Sequence, residues 1–148
     1  MILKHQKGTT LLEALIALAI LSFAILGLMA LQTSLLRQTG QSKSRVQATL
    51  LAQNLMGLIS INKNQASCYL TTGASCSSTD ASTQMTTWKN EVLAALPNAT
   101  SSEVLAAMPS SQNPSVVLGS DNSITITLGW KDKSDSAVRN LIIVGRPW

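Results

Sequence analysis

The chain has 148 residues, is 45% hydrophobic and carries a formal net charge of +4, which becomes +2 without Lys4 and Lys7. That charge is too small to indicate nucleic-acid binding, and a single Phe and a single Tyr offer no platform on which bases could stack. The only histidine is His5. Because no Gly-rich phosphate loop, nucleophile elbow or metal-ligand cluster is present, the sequence predicts neither an enzyme nor a cofactor or metal site.

The most prominent feature is an apolar run from Ala14 to Leu31, in which Ser22 is the only clearly polar residue. As a helix the run is about 27 Å long, close to the ~30 Å thickness of a hydrocarbon core. A helix is expected because backbone groups in a bilayer find no water. The basic residues Lys4 and Lys7 precede the run and predict a cytoplasmic N-terminus by the positive-inside rule.

Glu13 is the unusual residue at the start of this run. A carboxylate inside a spanning segment costs roughly 2.5–3.5 kcal/mol near the bilayer centre and less near its edge. One interpretation is a plain membrane anchor, in which Thr10 and Glu13 form a capping box at the helix start. A cleaved secretory signal is disfavoured, because it would have a shorter apolar core followed by a small-x-small cleavage site.

A second interpretation comes from the sequence Gly8-Thr9-Thr10-Leu11-Leu12-Glu13, which follows a short basic leader. This pattern resembles the processing site of type IV pilins and pseudopilins. The resemblance implies that a prepilin peptidase cleaves after Gly8, that Thr9 is N-methylated and that Glu13 acts in filament assembly. Most family members have Phe at the position of Thr9. A carboxylate four residues from a new ammonium group can neutralise that charge, or the charge of a neighbouring subunit.

The predicted organisation has three parts: a leader at residues 1–8, a transmembrane assembly helix at 9–31 and a periplasmic head at 32–148. The head includes the amphipathic half of the first helix, which we expect to run from Thr10 to Ile61 because no proline precedes Pro97. About 115 residues follow the membrane segment, enough for one small domain. The apolar residues expected to pack this helix under the head are Val46, Leu50, Leu51, Leu55, Leu58, Ile59 and Ile61.

Both cysteines, Cys68 and Cys76, fall in a polar stretch from Asn62 to Asp80 that predicts a loop. They lie beyond the membrane segment, on the oxidising side in this interpretation. A disulfide is favoured there, with two free thiols as the alternative.

The rest of the chain predicts an α+β fold of pilin-like type. A helix is expected from Ala81 to Leu96 and a helical turn from Glu103 to Met108. Three strands should then form a small antiparallel sheet against the second half of the long helix. They are Val116–Leu118, a half-buried Ile124–Trp130, and Val138–Val144, for which cover on both faces is expected.

Three later features are similar to PilV-type minor pilins, the type IV pilus modification proteins. They are Gly27-Leu28-Met29-Ala30-Leu31-Gln32, Trp88 eight residues before Leu96-Pro97, and the strand ending Trp130-Lys131-Asp132. Major pilins commonly have a proline where this chain has Ala30, which disfavours a major pilin.

This resemblance implies a minor pilin that helps to prime, and is incorporated into, type IV pili used in twitching motility and adhesion. Its partners would be the prepilin peptidase, the other minor pilins, the major pilin and the pilus assembly platform. The precursor would cross the inner membrane once, with its C-terminus in the periplasm. The alternatives are a type II secretion pseudopilin, or a DNA-uptake pilin, which would need a basic face.

Overall fold

A computed structural model of the chain describes residues 9–71, 76–133 and 135–146. It contains an α+β arrangement in which a long N-terminal helix is followed by a three-stranded antiparallel sheet, as predicted. The helices are α1 (Thr9–Ile61), α2 (Thr79–Ala95) and α3 (Ser102–Ala107), and the strands are β1 (Ser115–Leu118), β2 (Ile124–Trp130) and β3 (Arg139–Gly145).

The chain divides into one unit that ends at Thr39 and a second that begins at Gly40. In the first unit, α1 exposes large apolar side chains on all sides, with Leu11 69% and Phe23 75% exposed. Two of its hydroxyl groups turn back onto the helix: Ser22 Oγ donates to the Leu18 carbonyl at 2.7 Å and Thr33 Oγ1 to the Met29 carbonyl at 2.9 Å. These two hydroxyl groups are therefore satisfied without water.

In the second unit, α1 buries a face of mainly small residues. The buried positions recur every three or four residues, as one side of a helix requires: Ser44, Ala48, Ala52, Leu55 and Ile59. The predicted face was therefore wrong in part, because Val46, Leu50 and Ile61 are 58%, 60% and 80% exposed. Ala48 and Ala52 are fully buried although they contribute little hydropathy.

One element that contacts the second half of α1 is α2. Trp88 of α2 is 2% exposed, and its Nε1 donates to the main-chain carbonyl of Leu51 at 2.8 Å. The Ser78 side chain caps the start of α2 by accepting from the Ala81 N–H, and Val92 and Leu96 join the same core. The indole is thus a core residue with its polar atom satisfied.

The first part of the predicted loop is helical in the structure. A 3-10 helix spans Lys63–Tyr69, and Thr71 then lies along the edge of β1. The Thr71 N–H donates to the Val116 carbonyl at 2.9 Å, and Thr71 Oγ1 accepts from the Val116 N–H at 2.8 Å. This pairing satisfies backbone groups on the outer edge of β1.

The sheet order is β1-β2-β3, and β2 is its central strand. Residue Ile126 of β2 lies opposite Val116 of β1 and Ile143 of β3. Ile124, Ile126 and Leu128 are fully buried in the same core as Leu55 and Ile59 of α1. The second half of α1 and the sheet therefore bury their apolar faces in one core.

The predicted burial of β2 and β3 was wrong: the strand expected to be half-buried is covered on both faces, and the strand expected to be covered on both faces has one exposed face. β2 is covered on both faces: Thr127 is 3% exposed, and α3 lies so close to Gly129 that an added Cβ would be 3.0 Å from Val104 Cγ1. β3 is an edge strand with alternating burial, and its Ile142 and Val144 are 57% and 62% exposed. The apolar run at 141–144 thus has one exposed face.

A Leu→Ala substitution should affect stability differently on the buried and the exposed side of α1. Leu55→Ala, at a fully buried position, should lower the free energy of unfolding by about 2–5 kcal/mol. Leu50→Ala, on the exposed side, should change it by no more than about 0.5 kcal/mol. Urea unfolding of the full chain in detergent, followed by near-UV circular dichroism, measures both. Equal losses for the two variants would contradict the assigned buried face.

Candidate processing and assembly site

The predicted processing site lies at the start of α1. Gly8, the residue expected to precede the cut, lies outside the described residues, as do the other leader residues. Thr9 is the first residue of α1 and Glu13 the fifth. Along a helix these two backbone positions are about 6 Å apart and lie on the same side, since they are four residues apart.

Glu13 is an isolated charge. It is exposed, no other charged residue follows it before Arg37, and it forms no ion pair within the part of the chain that the structure describes. Its surroundings are apolar, with Leu12 and Ile16 on either side 59% and 53% exposed. A carboxylate near a helix N-terminus interacts favourably with the partial positive charge there, and a free amine at Thr9 would add a full charge within reach. The site could therefore pair charges in an apolar environment.

The segment after Glu13 has the composition of a membrane span. The helical stretch Leu11–Ile61 contains an 18-residue window with a mean hydropathy of 2.7, and none of that window is buried by the chain itself. Length and composition are therefore consistent with membrane anchoring.

Cys68 and Cys76 are joined by a disulfide in the structure, with a Cα–Cα distance of 4.6 Å. The bond connects the 3-10 helix to the residues just before α2. The Tyr69 hydroxyl lies nearby in sequence and donates to Gln84 Oε1 of α2 at 2.7 Å. A covalent bond and a hydrogen bond thus hold this segment to α2.

Three ion pairs in the second unit were not predicted. They are Lys131–Glu103, Arg139–Asp135 and Arg146–Asp121. Asp135 Oδ1 also accepts from Gln41 Nε2 of α1 at 2.8 Å. The i,i+4 spacing of Asp135 and Arg139 was the one available signal, whereas the other two pairs join residues distant in sequence.

The turn between β1 and β2 contains the most strongly perturbed carboxyl group. Hydrogen bonds from the Ser123 hydroxyl, at 2.6 Å, and then from Arg146 hold the pKa of Asp121 well below its ordinary value. Arg139, as the larger influence, and Gln41 likewise lower the pKa of Asp135. Both aspartates thus remain charged and act as acceptors that fasten loops.

No metal centre is formed by residues 9–71, 76–133 and 135–146, since no three potential His, Cys, Asp or Glu ligands come together there. His5 lies outside the described residues. The chemistry that the described side chains offer is charge pairing and apolar contact.

The lowered pKa of Asp121 predicts an acid-dependent loss of stability. The pKa of Asp121 in the folded state lies below its unfolded value of about 3.9. The stabilising contribution of ionised Asp121 to the folded state is therefore complete above about pH 3.9 and is lost as the pH falls through the folded-state pKa. The difference in Tm between the native chain and Asp121→Asn should therefore be largest at neutral pH and narrow below about pH 4.

Differential scanning fluorimetry from neutral to acidic pH measures this difference. Ser123→Ala removes the larger influence on Asp121 and should weaken the pH dependence more than Arg146→Gln does. A Tm difference that stayed constant across the range would contradict the assignment.

Comparison with known proteins bears on the N-terminal region. Residues 3–29 match the family described as the prokaryotic N-terminal methylation motif. The chain is 41% identical over 61 residues to the type II secretion system protein I of Klebsiella michiganensis, and the alignment covers 41% of this chain and 50% of that protein. The match therefore spans about half the length of this curated relative. No solved structure matches the chain. The chain thus carries a type IV prepilin-like methylation motif and is similar to a type II secretion protein.

Proposed function

We propose that this protein is the precursor of a subunit of a type IV pilin-like filament. The observation that carries the proposal is a methylation motif at residues 3–29 that includes the start of a helix whose apolar surface the chain leaves uncovered. Left bare in water, that surface would cost tens of kcal/mol, at about 0.8 kcal/mol per methylene. It is stable in lipid, or when packed against the helices of other subunits.

In this function, cleavage after Gly8 gives a new amine at Thr9, which is methylated. Residues 9–31 anchor the precursor in the inner membrane, and the remainder forms a periplasmic head. The positive-inside rule alone does not decide this orientation, because basic residues lie on both sides of the apolar run. Lys4 and Lys7 precede it, and Arg37, Lys43 and Arg45 follow it. The Cys68–Cys76 disulfide supports it, because such bonds persist on the oxidising side of the membrane.

Within this class we favour a minor pilin of the PilV type. The supporting features are the end of the apolar run at Gly27–Gln32, the buried Trp88 before Leu96-Pro97, and the strand that ends at Trp130. Such a subunit would work through packing with the other minor pilins, the major pilin and the assembly platform, in twitching motility and adhesion.

A type II secretion pseudopilin is the second candidate, favoured by the 41% identity to protein I. The two candidates share the motif and differ in the process they serve. Deletion of the gene should abolish twitching but leave protein secretion intact for the minor pilin, and the reverse for the pseudopilin. A DNA-uptake pilin receives no comparable support. It would need a basic face, but the basic residues at the ends of β2 and β3, Lys131, Arg139 and Arg146, are each paired with an acidic residue.

The first test is the intact mass and N-terminal sequence of the protein from its native membrane. Processing predicts a chain that begins at Thr9, with or without one added methyl group. An intact Met1, or a cut beyond the apolar run, would mean that residues 8–13 form only a capped anchor, and the filament proposal would fail.

The second test concerns Glu13. Because a lone carboxylate among apolar helices needs a positive partner, Glu13→Ala should be cleaved normally but enter filaments several-fold less than the native chain. Immunoblots of sheared filaments and of membranes measure both steps. Glu91→Ala, which removes an exposed carboxylate from α2, is the matched control and should enter normally. Normal entry of Glu13→Ala would exclude the charge-pairing role.

A further inference from the structure

The chain covers the two edges of its sheet differently. At the β1 edge, the Thr71 N–H donates to the Val116 carbonyl, and the Thr71 hydroxyl oxygen accepts from the Val116 N–H. At the β3 edge, no backbone hydrogen bond joins Arg139–Gly145 to a described residue outside β2. Alternate N–H and C=O groups of β3 therefore point away from the sheet without a backbone partner among the described residues.

The β3 edge also lacks the features that usually keep an edge strand from pairing with another chain. Natural proteins protect such edges with short strands, charged residues, proline or a bulge. β3 is seven residues long and pairs with β2 without a break in register, so no bulge interrupts it. Residues 140–145 include neither a charged residue nor a proline. This edge is therefore regular and open to a further strand.

The outer face of β3 is apolar. Ile142 and Val144 are 57% and 62% exposed on this face, whereas Leu141 and Ile143 alternate with them and pack against the core. A strand added to the edge would cover part of Ile142 and Val144 if it carried apolar residues at the facing positions.

The charged residues at the two ends of β3 already have partners. Arg139 is paired with Asp135, and Arg146 is paired with Asp121. The edge therefore offers no unpaired charge that would select a charged strand, and an uncharged apolar strand fits it best.

β3 of a second copy is such a strand. In an antiparallel pair centred on Ile143, Ile142 of one copy lies opposite Val144 of the other, and the two-fold symmetry repeats this apolar pair. Arg146 then lies opposite Asn140 of the other copy, so no like charges face each other. A pair centred on Ile142 would instead place each Val144 opposite Asn140. The register centred on Ile143 is thus the one that matches the exposed apolar residues.

We propose that two copies of this protein associate by antiparallel pairing of their β3 edges, centred on Ile143, which joins their two sheets into one. The inference does not depend on the proposed function, because every residue that carries it lies in the second unit. A single strand edge forms a small interface, of the size found in transient complexes. Association should therefore be reversible, and covalent trapping is the suitable measurement.

The test traps the pair through cysteines introduced into the full chain in detergent. Because Cys68 and Cys76 are bonded to each other, I142C and V144C each add a single free thiol. An equal mixture of the two variants is oxidised mildly, and intact mass separates mixed from identical dimers. Directly opposite Cβ atoms lie about 4.5–5.5 Å apart, closer than diagonal ones. The mixed disulfide should therefore form several-fold faster than either identical disulfide.

Substitutions at Asn140 test the register independently. Asn140→Glu places an acidic residue opposite Arg146 of the other copy, twice in each dimer. A cross-strand pair of opposite charges shifts an equilibrium by up to about fivefold. The mixed disulfide should therefore form several-fold faster with N140E and several-fold slower with N140K. The matched controls L118E and L118K change an exposed residue of β1 and should leave the rate unchanged.

Three results would overturn the inference. The first is equal rates for the mixed and identical disulfides, which association through α1 alone would give because it selects no register between strands. The second is the same rate for N140E and N140K, with equal Tm values showing that both are folded. The third is cross-linking only after another filament subunit is added, because the strand on the edge would then belong to a different protein. The proposed function is tested separately, by the N-terminus of the processed chain.

Discussion

An apolar helical surface that the chain itself leaves bare has to be covered by something else. That requirement applies to α1 from Leu11 to Leu31, which the chain itself does not bury. The hydroxyl group of Ser22, the only clearly polar side chain from Ala14 to Leu31, is bonded to its own helix, so the surroundings of this stretch need supply only apolar contact. Glu13 is the exception, and it lies close to the end at which processing would create an amine.

The fold could be predicted where local signals were strong. The long helix was expected because no proline interrupts it, and the alternation in Ile124–Trp130 located the central strand. The buried side of α1 could not be predicted in full, because it is formed largely by Ala48 and Ala52, which carry a weak hydrophobic signal. The burial of β2 and β3 depends on where α3 packs, and this tertiary contact at Gly129 leaves no periodic pattern in the strands.

The candidate site was accessible to sequence analysis because it is linear: the leader, Gly8, Thr9 and Glu13 follow one another within a few residues. The contacts within the second unit could not be predicted, because they join residues that are far apart in the sequence. Asp121 and Arg146 lie 25 positions apart and meet because the start of β2 pairs with the end of β3, where Ile124 lies opposite Gly145. The motif also does not distinguish between the two proposed roles, because both candidates share it.

The division of α1 into two sides has a consequence for genetics. In the second unit, one side of the helix faces the core through Ala48, Ala52 and Leu55, and the other presents Val46 and Leu50 to the surroundings. Alleles altered on the first side would deplete the protein from the cell, because an unfolded head is degraded. Alleles altered on the second side would leave a normal amount of protein. Scoring abundance beside phenotype would therefore sort the alleles of a single helix into two alternating sets, a few residues apart along the gene.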